Sequence, residues 1–244
     1  MKKIITLFIM LMFCNISFAD NLVMNYFKKW VDETKVEKAI GKLLLDQFTS
    51  DLQGTYKISE NQELTKSFIS FLEKCGAKNN NGLEIKVMMI DSSTADEILL
   101  PGGTLILTKG FWDYAQTKEQ QDFILARNAF LVFQKQPLFA IKHSGIYPRF
   151  LDYLKLKESK RSKEEMRELL RNYLMVLQKM NHKKADVQGA LITYNPDKTR
   201  IEAINMLSKL AENISIWPPS PLDNRDLPSR IVDLKNLKLP EQKL

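Results

Sequence analysis

Apolar residues recur at helical spacing in the first part of the chain. Between Leu22 and Phe48 they include Val31, Val36, Ile40, Leu43, Leu44 and Phe48, and Gly54 breaks the pattern. This spacing predicts one or two helices. The same periodicity from Glu63 to Cys75 predicts another helix, which Gly76 ends.

Strand signals are confined to the middle of the chain. Leu83 to Ile90 is rich in apolar and β-branched residues and follows the turn formers at 79–82. Ile98 to Leu100 and Thr104 to Thr108 flank Pro101-Gly102-Gly103, which predicts two strands joined at a tight corner. With helices on both sides, the pattern predicts an α+β fold, a mostly helical single domain with a small central sheet.

Helical patterns return after Gly110. They cover Glu119 to Phe133, Phe150 to Met180 with an interruption left open, Ala185 to Thr193, and Thr199 to Ile214. The stretch from Trp217 to Pro228 is rich in proline, which predicts a loop held against the body.

The first 19 residues have the pattern of a secretory signal. Two lysines precede the apolar run Ile4 to Phe13, and a small-x-small site ends at Ala19. We therefore expect residues 20–244 to form the mature protein, periplasmic or secreted. The alternative is an uncleaved segment that anchors the protein in the inner membrane.

Charge and cysteine content bear on the expected partners and on the role of the cysteines. The formal net charge is +7, and the dense run Lys155 to Arg171 also holds four glutamates, as a solvated helix face does. Nucleic acid is therefore not an expected partner. Cys14 lies in the signal, so Cys75 is left without an intramolecular partner and is expected to be a packed thiol.

A series of short motifs occurs in a fixed order along the chain. They are Val87 to Asp91, Ile98 to Phe111, Glu119 to Arg127, Ala185-Asp186, Tyr194-Asn195-Pro196, Met206 to Leu210, Trp217 to Ser220, and Ser229-Arg230-Ile231. This order resembles the zinc metallopeptidase family that includes the HtpX-like, CAAX-prenyl-protease-like and Oma-like proteases. The resemblance is strongest over residues 83–235 and implies a zincin-like metallopeptidase fold.

The motif that would bind zinc in that family is missing. Arg127 stands where the resemblance places the first ligand histidine, Asn128 where it places the catalytic glutamate, and Leu131 where it places the second histidine. Two histidines four residues apart on a helix hold zinc, and the adjacent glutamate deprotonates the bound water. Since arginine and leucine offer zinc no lone pair and asparagine is not basic, these degenerate positions predict no catalytic residues.

The third ligand of the family is a glutamate, which is His182 here. His182 is thus the one remaining candidate metal ligand, and a catalytic zinc site ordinarily takes three. His143 is the only other histidine. We expect no metal cofactor, with zinc required only if the ligands have been displaced elsewhere.

The resemblance also marks residues around the lost motif. Asp186 matches a residue that orients the zinc ligands, and here its hypothetical partner is Arg127, because a guanidinium could replace the charge of zinc. The strand Asp96 to Leu100 corresponds to the substrate-binding edge, where a peptide could add as a further strand. The other expected cleft residues are Asp96, Ile98, Pro101, Gly102 and Gly103.

Three functions follow from these observations. The first is an exported pseudopeptidase whose cleft binds peptides, unfolded envelope proteins or a partner protease. The second is an active zinc metalloendopeptidase with displaced ligands. The third is a structural subunit of an envelope assembly, and peripheral membrane association is left open for all three.

Overall fold

The computed structural model describes residues 32–177, 180–213 and 226–238. The predicted signal, the start of the first predicted helix and most of the predicted proline-rich loop lie outside these residues. A compact unit begins at Glu37 and is distinct from the segment that ends at Val36. The sheet and the sites described below belong to this compact unit.

The sheet has four strands in the spatial order β1-β2-β4-β3. The strands are β1 (Ile58–Glu60), β2 (Lys86–Ile90), β3 (Glu97–Leu99) and β4 (Thr104–Thr108). β2 and β4 are parallel, while β1 and β3 join the two sides as antiparallel strands. The predicted corner at 101–103 joins β3 to β4, and β1 had no recognisable pattern in the sequence.

The described residues also form ten α-helices. They are α1 (Glu33–Leu52), α2 (Gln62–Lys74), α3 (Lys109–Tyr114), α4 (Lys118–Phe133), α5 (Gln136–His143), α6 (Tyr147–Lys155), α7 (Lys163–Val176), α8 (His182–Leu191), α9 (Pro196–Asn213) and α10 (Leu227–Lys235). Together with the mixed sheet they confirm the expected α+β class.

The two helices that carry Arg127 and Asp186 each begin at a polar capping residue. Thr117 caps α4 by accepting a hydrogen bond from the Gln120 amide at 3.2 Å. Asn181 caps α8 in the same way through the Lys184 amide at 3.1 Å. Because a capped first turn fixes where a helix begins, these residues set which side chains of α4 and α8 meet.

The centre of the domain is α4, which packs against α2, α8 and α9. Apolar residues occupy all of its sides rather than one stripe, as in a helix that is buried all round. Arg127 and Asn128 are buried on this helix among apolar neighbours. Such polar side chains need partners inside the protein.

Three expectations about helices need correction or refinement. The pattern from Phe150 to Met180 is divided between α6 and α7. Pro228, expected to prevent a helix, lies in the first turn of α10, where its missing amide hydrogen is not needed. Helix α5 was not predicted, and Pro137 lies in its first turn in the same way.

No helix in the described part of the chain combines the length and apolarity that a membrane span requires.

Candidate functional site

Arg127 lies in the interior, with 2% of its surface exposed. Its Nε donates to Asp186 Oδ1 at 2.7 Å, and its Nη1 donates to Glu97 Oε1. The guanidinium therefore joins α4 to α8 and to β3. The hypothetical pairing of Arg127 with Asp186 is present in the structure.

A second buried arginine binds the same aspartate. Arg230 of α10 donates from Nε to Asp186 Oδ2 at 2.5 Å and from Nη2 to Asp186 Oδ1 at 3.0 Å. Asp186 is completely buried and thus accepts three bonds from two guanidinium groups. This fork geometry is the one arginine uses for carboxylates.

Asn128, at the position where the resemblance places the catalytic glutamate, also makes structural contacts. Asn128 donates from Nδ2 to Glu97 Oε2 at 2.9 Å and to the Ile124 carbonyl oxygen at 2.9 Å. Glu97 thereby binds Arg127 with one oxygen and Asn128 with the other. Leu131, where the second histidine was expected, is fully buried and contributes only apolar packing.

Both ring nitrogens of His182 have partners. Nδ1 lies 2.8 Å from Arg127 Nη2, and Nε2 lies 3.1 Å from the Leu177 carbonyl oxygen. A guanidinium only donates and a carbonyl only accepts, so Nε2 carries the proton and Nδ1 uses its lone pair on Arg127. His182 has no lone pair left for a metal ion in this arrangement.

The charges of this cluster balance. Arg127 and Arg230 face Asp186 and Glu97, and we call these four residues with Asn128 and His182 the arginine cluster. Burial acts to raise the pKa of Asp186, but Arg230 and Arg127 together hold it below its usual range. Burial, followed by the charge of Arg127, lowers the pKa of His182 to about 3, so the ring is neutral near pH 7.

Close packing of α8 on α4 brings the cluster together. A Cβ atom built on Gly189 would lie 2.7 Å from both Cα and N of Arg127. No side chain fits at that distance, so Gly189 lets the two helices approach closely. This approach places Asp186, one turn earlier on α8, beside the guanidinium.

The expected cleft residues do not lie together. Side chains alternate along the strands, so Glu97 points to the arginine cluster while Asp96 and Ile98 point to the opposite face of the sheet. There they line a pocket of about 190 Å³ with Phe48 and Leu52 of α1. The remaining lining residues are Tyr56, Ile90, Ser92, Thr94, Ile106, Thr108 and Leu174. We call this the sheet pocket.

The predicted substrate-binding edge is covered. β3 is the last strand of the sheet, yet its three residues are buried. The hydroxyl of Tyr173 on α7 donates to the Leu99 carbonyl oxygen, and the Glu97 amide donates to Asp96 Oδ1 at 3.0 Å. Both groups point away from β4, so a peptide could add to this edge only after Tyr173 had moved.

The glycine corner has a structural explanation. A Cβ on Gly41 of α1 would lie 1.9 Å from the Pro101 carbonyl oxygen, and the Gly102 amide donates to the buried Glu37 Oε1 at 3.4 Å. Gly102 and Gly103 both have positive φ, at 82° and 90°. The corner therefore anchors the β3–β4 hairpin on α1, away from the arginine cluster.

His143 and Cys75 take no part in the arginine cluster. His143 is exposed on α5, where its ring stacks on Phe139 with the centroids 3.7 Å apart. Burial raises the pKa of Cys75 to about 11, which keeps the thiol protonated. Cys75 is half-buried.

The residues at the zinc-motif positions do not fit zinc. Arg127 supplies a positive charge there, Leu131 supplies no ligand atom, and His182 uses both nitrogens. Within residues 32–177, 180–213 and 226–238, no group of three or more His, Cys, Asp or Glu side chains is placed to hold a metal ion.

Sequence reasoning assigned no role to Glu97, Arg230 or Tyr173. Arg230 was visible as part of the Ser229-Arg230-Ile231 motif, but its partner Asp186 lies 44 residues away. Glu97 had a usable signal, since an acidic residue in an otherwise apolar strand calls for a buried partner.

Two comparisons with known proteins gave no match. No protein-family model matches the chain, and no curated protein matches it at a significant level.

Proposed function

We propose that this protein is a non-catalytic pseudopeptidase of the bacterial envelope, built on a degenerate zincin-like metallopeptidase domain. The observation that carries the proposal is the arginine cluster. At the position that the motif order assigns to a zinc ligand, a buried guanidinium binds both Asp186 and Glu97.

The charge of the cluster argues against a metal ion joining it. Asp186 and Glu97 are the acidic ligands at hand, and two arginines already balance them. A divalent ion would be placed beside fixed positive charges in an interior that screens them poorly. Asn128 likewise offers no base to deprotonate a water molecule.

In this proposal the protein binds unfolded polypeptide rather than cleaving it. The sheet pocket supports this role because its lining is largely apolar and its volume is about 190 Å³, somewhat larger than the roughly 150 Å³ cavity that accepts benzene. One aromatic or large aliphatic side chain would fit. Tyr56, which lines the pocket, is 40% exposed, as expected of an open site.

Metal content tests the loss of catalysis. Plasma mass spectrometry of the purified protein should find no stoichiometric zinc, and an unfolded casein substrate should remain intact with added zinc. The variant Arg127→His, Asn128→Glu, Leu131→His, His182→Glu shows whether the scaffold accepts zinc. One zinc per wild-type chain with zinc-dependent cleavage would sink the proposal in favour of the displaced-ligand enzyme.

Peptide binding is tested separately at the sheet pocket. Reduced, carboxymethylated α-lactalbumin serves as the unfolded probe, and fluorescence anisotropy reports its binding. Leu52→Asp places a carboxylate in the pocket near Asp96 and should weaken binding at least tenfold. Ile201→Asp, at a 47% exposed position on α9, is the matched control. Equal binding by both variants would remove the pocket from the proposal.

A further inference from the structure

The loop between α6 and α7 presents a group of basic side chains to solvent. Residues 155–163 contain five basic residues and one acidic residue, Glu158. All residues from 155 to 160 are exposed. We call residues 155–163 the basic loop.

The glutamates that follow in the sequence differ in their partners. Glu168 accepts from Arg149, outside this loop, at 2.9 Å. Glu164 accepts from the Ser162 hydroxyl at 3.1 Å and offsets part of the charge of Lys163 at the end of the loop. Lys155 pairs with Asp152 at 2.9 Å, but both side chains are about three-quarters exposed, so water screens the pair. The excess of positive charge is therefore concentrated between Lys157 and Arg161, where Glu158 is the one acidic residue.

The base of the basic loop is fixed by internal bonds. The Tyr153 hydroxyl donates to the Ser162 carbonyl oxygen at 3.1 Å, and Arg161 Nη2 donates to the Leu154 carbonyl oxygen at 3.2 Å. Between them, the Lys160 amide closes a tight turn on the Lys157 carbonyl oxygen at 2.8 Å. The backbone that carries the lysines is therefore fixed before any partner binds, which lowers the entropy that binding costs.

The loop also exposes an apolar residue beside its lysines. Leu156 is 37% exposed, whereas the aromatic ring of Tyr153 is buried. A surface for single-stranded nucleic acid would offer exposed aromatic rings on which bases stack. Lysines around an exposed leucine suit a bilayer surface, where the leucine enters the interface and the lysines meet lipid phosphates.

We propose that the basic loop docks this protein onto the surface of a bilayer that contains anionic phospholipid. The contact is peripheral, with Lys157, Lys160 and Lys163 beside the lipid headgroups and Leu156 at the interface. This contact does not depend on the sheet pocket or on the arginine cluster, so it stands apart from the function proposed above.

Vesicle sedimentation of the full chain tests the proposal. Phosphatidylcholine vesicles with and without phosphatidylglycerol are compared, for the wild type and for Lys157→Gln, Lys160→Gln, Lys163→Gln. The N-terminal apolar segment is common to both proteins, and its own contribution is measured on the vesicles without phosphatidylglycerol. The triple variant should bind anionic vesicles on the order of 100-fold more weakly, because each basic residue adds to attraction at an anionic surface.

Two further variants complete the design. Lys57→Gln, Lys66→Gln, Lys78→Gln removes the same charge from exposed positions outside the loop and should bind as the wild type does. Replacing the three loop lysines by arginine should preserve binding. Added salt should weaken the binding of the wild type.

Three results would overturn the proposal. The wild type could fail to sediment with anionic vesicles, or the two lysine-to-glutamine triples could bind equally well. The third is tighter binding to single-stranded RNA than to vesicles, lost with the same three loop lysines, which would assign the loop to nucleic acid.

Discussion

Arg127 Nε donates to Asp186 Oδ1 at 2.7 Å, across 59 residues of sequence and between two helices of the domain centre. The arginine is 2% exposed and the aspartate is completely buried. Although burial alone would lower the pKa of Arg127, Glu97 and Asp186 raise it, so the guanidinium stays charged. A buried pair of this kind constrains its neighbours, because either partner left alone is costly.

Removal of the guanidinium should destabilise the domain strongly. Arg127→Met leaves Glu97 and Asp186 with a missing partner, and we expect a loss of about 3–5 kcal/mol in the free energy of unfolding. Urea denaturation at neutral pH measures it. Arg149→Met breaks an exposed pair with Glu168 and should cost less than about 1 kcal/mol. Similar losses in the two variants would contradict the structural role of Arg127.

The arginine cluster should also show coupling in a double-mutant cycle. Asp186→Asn alone leaves both arginines short of negative charge. Arg127→Met leaves the site with an excess negative charge, and in that background Asp186→Asn restores the balance. The loss of unfolding free energy in the double variant, measured by urea denaturation, should therefore be smaller than the sum of the two single losses by about 1–3 kcal/mol. Strict additivity would mean that the two side chains do not interact in solution.

The sequence was sufficient for elements whose pattern is local. The helix at 63–75 and the hairpin around 101–103 were predicted because periodicity and turn formers are written into short stretches. The sequence did not predict α5, and it missed α10 because Pro228 was expected to prevent a helix, although proline is suited to a first helical turn. The three-residue strand β1 depends on its pairing with β2, which no local pattern shows.

The site was predictable in part for the same reason. Loss of the zinc ligands could be recognised at single positions, and the charge of Arg127 suggested Asp186 as its partner. The contributions of Glu97 and Arg230 depend on distant segments meeting in space. Strand alternation also separated Asp96 and Ile98 from the arginine cluster, which the order of motifs did not reveal.

Gly189 should tolerate no side chain. The added methyl of Gly189→Ala would lie 2.7 Å from the Arg127 backbone, so α8 must move away from α4. We expect a loss of about 1–3 kcal/mol, despite the better helix propensity of alanine. Gln188→Ala, on the same helix, is the control and should change stability little. An unchanged or higher melting temperature for Gly189→Ala would refute the close contact.

The hydroxyl of Tyr173 should stabilise the covered edge of β3. Tyr173→Phe leaves the buried Leu99 carbonyl oxygen without this donor, at a cost of about 1–3 kcal/mol. Tyr194→Phe is the control, since that residue is 80% exposed. Hydrogen exchange should also quicken at β3 amides in Tyr173→Phe alone. Equal exchange in both variants would show that the hydroxyl does not protect this edge.

Neutral His182 should make the protein sensitive to mild acid. Its pKa is about 3 in the folded protein and about 6.5 in an unfolded chain. Between these values the unfolded chain binds the proton and the folded protein does not. The contribution of neutral His182 to the free energy of unfolding is therefore fully present above pH ~6.5 and is lost as the pH drops. The free energy of unfolding measured by urea denaturation should fall by up to about 1 kcal/mol per pH unit from pH ~6 to ~5. This window lies above the range in which ordinary carboxylates titrate. His182→Gln should flatten this slope, while His143→Gln, on the exposed ring of α5, should retain it. A slope that survives in His182→Gln would mean that another group takes up the proton on unfolding.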